Sequence, residues 1–99
     1  MTRFALIFVA LTGASPALTQ DMAETCGYQA EVVAAIQQAR LDRVSERNVP
    51  AHIEAQDPQW PDQYDNAIPL ITPWVYEQTR KTLRNENLAA AWTELCLQQ

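Results

Sequence analysis

Glycine is almost missing from this chain: there are two in 99 residues, Gly13 and Gly27. A glycine-rich loop that cradles phosphate is therefore excluded, because such loops need several residues free to take positive φ. Histidine occurs once, as His52, and lysine once, as Lys81. Cysteine occurs twice, as Cys26 and Cys96, too far apart in sequence for a redox C-x-x-C, a haem-attachment motif or a zinc-ligand set. The chain has seven basic residues against twelve acidic ones, a formal charge of −5. Nucleic acid and anionic membrane surfaces both recruit clustered Lys and Arg in excess, so neither is expected as a bulk partner. No apolar run approaches the roughly 20 residues that cross a bilayer.

The first seventeen residues read differently from the rest. Arg3 precedes the uninterrupted apolar run Phe4 to Leu11, followed by Thr12-Gly13 and then Ser15-Pro16-Ala17. A short positive head, an apolar middle and a small-x-small end form the pattern of a secretory signal peptide, with cleavage expected after Ala17. A lipoprotein anchor is not expected, because Ala23-Glu24-Thr25 is no lipobox and Cys26 lies well beyond the apolar run. Without residues 1–17 the chain is 82 residues long, with six basic and twelve acidic residues. The compact leader points to a bacterial periplasm, or to secretion in a cell with no outer membrane.

An oxidising compartment would join Cys26 to Cys96. The remaining chain reads as all-α. Residues 22–47 hold no proline and place Ala30, Val33, Ile36, Leu41 and Val44 at helical spacing, with Asp21 and Glu24 as a capping box. Residues 48–72 carry four prolines, four acids and no basic residue, and read as an irregular connector with about one helical turn near Pro50–Gln56. Thr72-Pro73 looks like an N-cap followed by a first helical residue, opening a second helix over 73–97 that Asn85-Glu86-Asn87 can interrupt. A Cys26–Cys96 bridge brings the start of the first helix to the end of the last, which requires the two to run antiparallel. The expected fold is an antiparallel helical hairpin, or a small irregular helical bundle, stapled by one disulfide and carrying a Pro/aromatic-rich connector.

Candidate functional residues are few. A nucleophile–base pair would have to come from Ser45 and His52, one in the expected helix and the other in the connector, so no catalytic residue is expected. Glu54, Asp57, Asp62 and Asp65 lack the alternation and turn glycine of a calcium loop, so neither a metal nor any other cofactor is expected. The basic residues Arg40, Arg43 and Arg47 are spaced i, i+3, i+7, and Arg80, Lys81 and Arg84 would face them across the hairpin. This half is either an anion or partner site, or is neutralised by the connector carboxylates with Asp42, Glu46 and Glu77, and neutralisation is the expectation. Trp60, Tyr64, Trp74 and Tyr76, interleaved with prolines, form a second candidate partner surface, with packing against the core as the competing role.

In size, export, single disulfide and helicity the chain is similar in layout to the periplasmic acid-stress chaperones and to small secretion-system immunity proteins; the likeness carries no residue with it. The expected function is an exported, non-catalytic protein-binding or accessory factor, with another periplasmic or secreted protein as partner. An acid-responsive chaperone and an immunity-type inhibitor of a secreted protein are the alternatives. The bridge itself gives a direct test. In the chain-entropy account, closing a loop of this length contributes about 4 kcal/mol, so urea unfolding with and without reductant should differ by about that amount; equal stability would mean the two thiols are not joined.

Overall fold

The computed structural model describes the backbone of residues 16–99 and the side chains from residue 21 onward. The proposed leader lies outside the described residues except for Pro16 and Ala17, where the first helix begins. Among the described residues there are five α-helices: α1 Pro16–Leu41, α2 Val49–Glu54, α3 Ala67–Tyr76, α4 Arg80–Asn85 and α5 Leu88–Leu97. Two 3-10 turns, Glu46–Asn48 and Asp62–Asn66, precede α2 and α3, and there is no strand among the described residues.

Helix α1 is the spine. Val32, Val33, Ile36 and Ala39 are buried along one face, at the spacing that keeps side chains on a single stripe. Against it pack Val49 and Ile53 of α2, Trp60 of the following loop, Ile68, Ile71 and Val75 of α3, Leu83 of α4 and Leu88 of α5. The returning chain runs antiparallel to α1, as the hairpin reading requires. Cys26 and Cys96 form the disulfide, their Cα atoms 5.7 Å apart. Three residues further along α1, Gln29 Oε1 accepts from the Trp92 indole at 3.0 Å. Two turns beyond that, the Gln37 amide donates to the carbonyls of Leu83, at 2.6 Å, and Glu86, at 2.9 Å, and its Oε1 accepts from Leu88 N–H at 3.4 Å. One side chain thus serves carbonyls at the end of α4 and an N–H at the start of α5, groups with no partner inside their own helices.

Several boundaries differ from the sequence reading, each for a local reason. Helix α1 stops at Leu41 rather than running to 47. Arg43 N–H bonds the Arg40 carbonyl at 3.1 Å and Val44 N–H bonds that of Ala39 at 3.0 Å, with Arg43 at φ 67°. This is a Schellman stop in which the left-handed position, usually glycine, is an arginine. Nor do Asp21 and Glu24 cap the helix, since α1 is already under way by Pro16.

The connector holds more helix than expected, and Thr72-Pro73 does not open a helix: both lie inside α3. The Thr72 hydroxyl donates back to the Ile68 carbonyl at 2.6 Å, an alternative to capping open to any threonine. An internal proline costs about 3 kcal/mol. Burying Ile68, Ile71 and Val75 against α1 returns about 1.5–3 kcal/mol each, so the helix continues through Pro73. Further on, Thr79 caps α4 by accepting from Thr82 N–H, and Asn87 caps α5 by accepting from Ala90 N–H. The Asn85–Asn87 cluster therefore does divide the returning segment. A break at Glu77–Thr79, just before the Thr79 cap, divides it a second time.

Gln37 should be the costliest polar residue to remove from the described fold. Gln37→Ala is expected to lose about 2 kcal/mol in chemical denaturation. Gln38→Ala, whose amide bonds only Asp42 on the solvent side, should change stability by about 0.5 kcal/mol or less. Equal effects would mean that Gln37 does not clamp the two helix ends.

Candidate functional site

The four candidate aromatics are drawn toward the core. Trp60 is buried, and its indole N–H donates to Asp65 Oδ1 at 2.8 Å. Tyr64 is half-buried and packs on Tyr28, with ring centroids 5.0 Å apart. Trp74 packs on Trp92 at 5.7 Å, joining α3 to α5. Tyr76 donates its hydroxyl to the Val44 carbonyl at 2.6 Å, tying the end of α3 to the loop after α1. Each ring therefore has a structural partner, and with no phenylalanine beyond residue 17 these rings are the large fillers available to seal the sides of the hairpin.

What the 60–76 segment presents to solvent is the other face of α3. With Ile68, Ile71, Thr72 and Val75 buried, Pro69, Leu70 and Pro73 point outward. Leu70 is 79% exposed. Beside it lies an open groove of about 620 Å³, lined by Pro69, Thr72 and Pro73 of α3 and by Ser45, Glu46, Arg47 and Pro50 from the start of the connector. Three of its seven lining residues are prolines, so its walls have little freedom to lose when something binds. The helical period alone could have shown Leu70 outside. Reading Thr72-Pro73 as a helix start hid it.

The basic residues divide. Arg47 sits in the 3-10 turn and lines the groove, and Lys81 is exposed on α4. Arg40, Arg43 and Arg47 therefore do not share one helical stripe, because the helix ends between the first two. Partial burial, and then repulsion from Arg43, Arg40 and Arg84, holds the Arg80 guanidinium below its ordinary value, with only Tyr76 opposing. The Arg40 guanidinium lies over the Tyr76 ring, 5.1 Å from its centroid, and its Nε is buried with no hydrogen-bond partner. Of the acids expected to neutralise this half, Glu46 does lie with it, acting on Tyr76 together with Arg40 and Arg80. Glu54, Asp57, Asp62 and Asp65 instead line a separate cavity of about 390 Å³ with Pro50, Pro58 and Ile68, and no carboxylate is among the charges acting on Arg80.

The remaining polar candidates are apart. The Ser45 hydroxyl accepts from Asn48 at 2.8 Å, whereas His52 Nε2 meets the Gln56 amide at 3.1 Å, one turn along its own helix. Among the described residues no three His, Cys, Asp or Glu side chains are placed to share a metal ion. Among them, too, no helix is long and apolar enough to cross a membrane. No protein-family model matches the chain, and neither does any curated protein or solved structure.

Tyr76 has a measurable signature. Burial raises its pKa above the ordinary 10.0; Arg40 opposes this, Glu46 adds to it and Arg80 opposes it. A raised phenol pKa means that the folded state favours the neutral form. That contribution is complete below pH 10 and is lost as pH rises through the folded value. Tyr76→Phe should cost about 1 kcal/mol at neutral pH by removing the bond to Val44. It should also flatten the alkaline loss of stability seen in the parent protein, as followed by denaturation between pH 8 and about pH 11; an unchanged alkaline limb would place the titrating group elsewhere.

Proposed function

We propose that this protein is a non-catalytic binding or accessory factor of the periplasm that holds a segment of another polypeptide in the groove between Ser45–Pro50 and α3. The observation that carries the reading is Leu70, the most exposed large apolar side chain among the described residues, standing beside an open groove walled by Pro50, Pro69 and Pro73. Exposed apolar surface next to rigid walls is unfavourable in water and favourable against a partner. Glu46 and Arg47 on the rim supply charges of both signs, suited to fixing the orientation of a bound segment more than to adding affinity. The aromatic residues contribute indirectly, by fixing α3 so that Leu70 faces outward.

Export supports the same reading. The apolar run before Ala17, the bridge between the only two cysteines and the excess of acid all suit a small oxidised protein outside the cytosol. The groove is the contact surface in this reading.

A photoreactive amino acid in place of Leu70, with the same substitution at exposed Ala34 as control, tests both parts in cells that make the protein. The expected result is one discrete adduct from position 70, identified by mass spectrometry as an exported polypeptide, and none from position 34. The mature chain should begin at Leu18. Equal, diffuse labelling at both positions, or an uncleaved chain with free thiols, would overturn the reading.

A further inference from the structure

We infer that the polypeptide segment held in the groove is extended, apolar at one end and basic at the other, with its lysine or arginine seated among Glu54, Asp57, Asp62 and Asp65. The inference rests on the groove being a contact surface and adds the chemistry of its occupant. Pro50 lines both the groove and the acid-lined cavity, and Pro69 of the groove is the chain neighbour of Ile68 of the cavity. The two are therefore contiguous parts of one trough.

The spacing of the walls agrees. On one side Asp62, Asp65, Pro69 and Pro73 recur every three or four residues and form one stripe along the 3-10 turn and α3. On the other, Arg47, Pro50, Glu54 and Asp57 recur in the same way along α2 and its flanks. The two stripes run antiparallel, with prolines at one end of the trough and carboxylates at the other. From Asp62 to Pro73 the wall extends about 18 Å at helical rise, room for about five residues of extended chain.

Charge along the trough is uneven. At the proline end Glu46 and Arg47 offset each other. At the other end stand all the acids of residues 48–72, a stretch with no lysine or arginine. Each of these carboxylates is exposed. The start of α3 accounts for Asp62 and Asp65, since the positive end of a helix favours acids. It does not account for Glu54 and Asp57, which stand at the opposite, negative end of α2. Carboxylates gathered in this way repel one another, and a cationic side chain from a partner relieves that repulsion while fixing which way the segment lies. The apolar residues of the same segment then cover Leu70 beside the prolines.

The test uses the disulfide-bonded protein and labelled hexapeptides read by fluorescence anisotropy. One probe has three leucines followed by three lysines, a second has that order reversed, and a third has glutamates in place of the lysines. Saturable binding that weakens with added salt is expected for one of the leucine–lysine probes, at least tenfold tighter than for the leucine–glutamate probe. Glu54→Gln with Asp57→Asn should weaken it about tenfold and leave Tm unchanged, because asparagine takes the φ of 55° at residue 57 as readily as aspartate. Asp65 is kept, since its carboxylate holds the Trp60 indole. In cells, the segment joined to a photoreactive residue at position 70 should carry lysine or arginine within about five residues, and the adduct should fall several-fold in the charge variant. Equal binding of all probes, no binding of any, or an adduct that the charge variant leaves intact would overturn this inference. A discrete adduct at position 70 alongside any of these would leave the groove reading standing, whereas its absence would end both.

Discussion

A small chain that packs nearly everything against one helix must fix where that helix meets its return, and here the fixing is done at three heights. The Cys26–Cys96 bond sets the register at one end, Gln37 holds it in the middle through the ends of α4 and α5, and the Tyr76 hydroxyl on the Val44 carbonyl holds it at the other. Apart from the Trp92 indole bond to Gln29, the contacts between these points are mostly apolar and non-directional, and alone they would tolerate a slip of a turn. The covalent bond and the hydrogen bonds do not tolerate it. The placement of the groove follows, because it is assembled from residues on opposite arms of the return.

The chain separates its charges only in part. Four acids line one cavity near α2 and the 3-10 turn before α3, while Tyr76 feels Arg40 and Arg80 together with Glu46. Surface ion pairs are worth little to stability, so a fold that relies on a disulfide and a core of Val, Ile and Leu depends little on where its charges fall. The four-acid cavity instead concentrates one sign of charge on a small surface, and such a field acts on partners and ligands more than on the fold.

Much of the architecture was legible in the sequence. The absence of strand-like alternation and the two distant cysteines were enough for an antiparallel all-helical hairpin, because the bridge admits few alternatives once both ends are helical. The stripe of Val33, Ile36 and Leu41 marked the right helix but not its end. Nothing in Asp42-Arg43 resembles a stop signal, and an arginine in the left-handed region is visible only in three dimensions. Thr72-Pro73 misled for the opposite reason: a strong local signal lost to the burial of Ile68, Ile71 and Val75. Arg40, Arg43 and Arg47 share a stripe only if the helix runs on past Leu41, and that unseen stop separates them. In the aromatic segment the rings pack inward, and the outer face of α3 belongs to prolines and a leucine.

The long reach of the Gln37 clamp and of the disulfide sets an order on the birth of the fold. Contacts that join residues 46 to 70 positions apart cannot form while the later partner is still unmade, and chains dominated by such contacts gain structure late. Until the stretch around Cys96 emerges, α1 can pack on α2 and α3, but its register against the last helix is not yet fixed. The register of such a chain stays open for most of its synthesis and becomes fixed only when the bond joins its first and last helices.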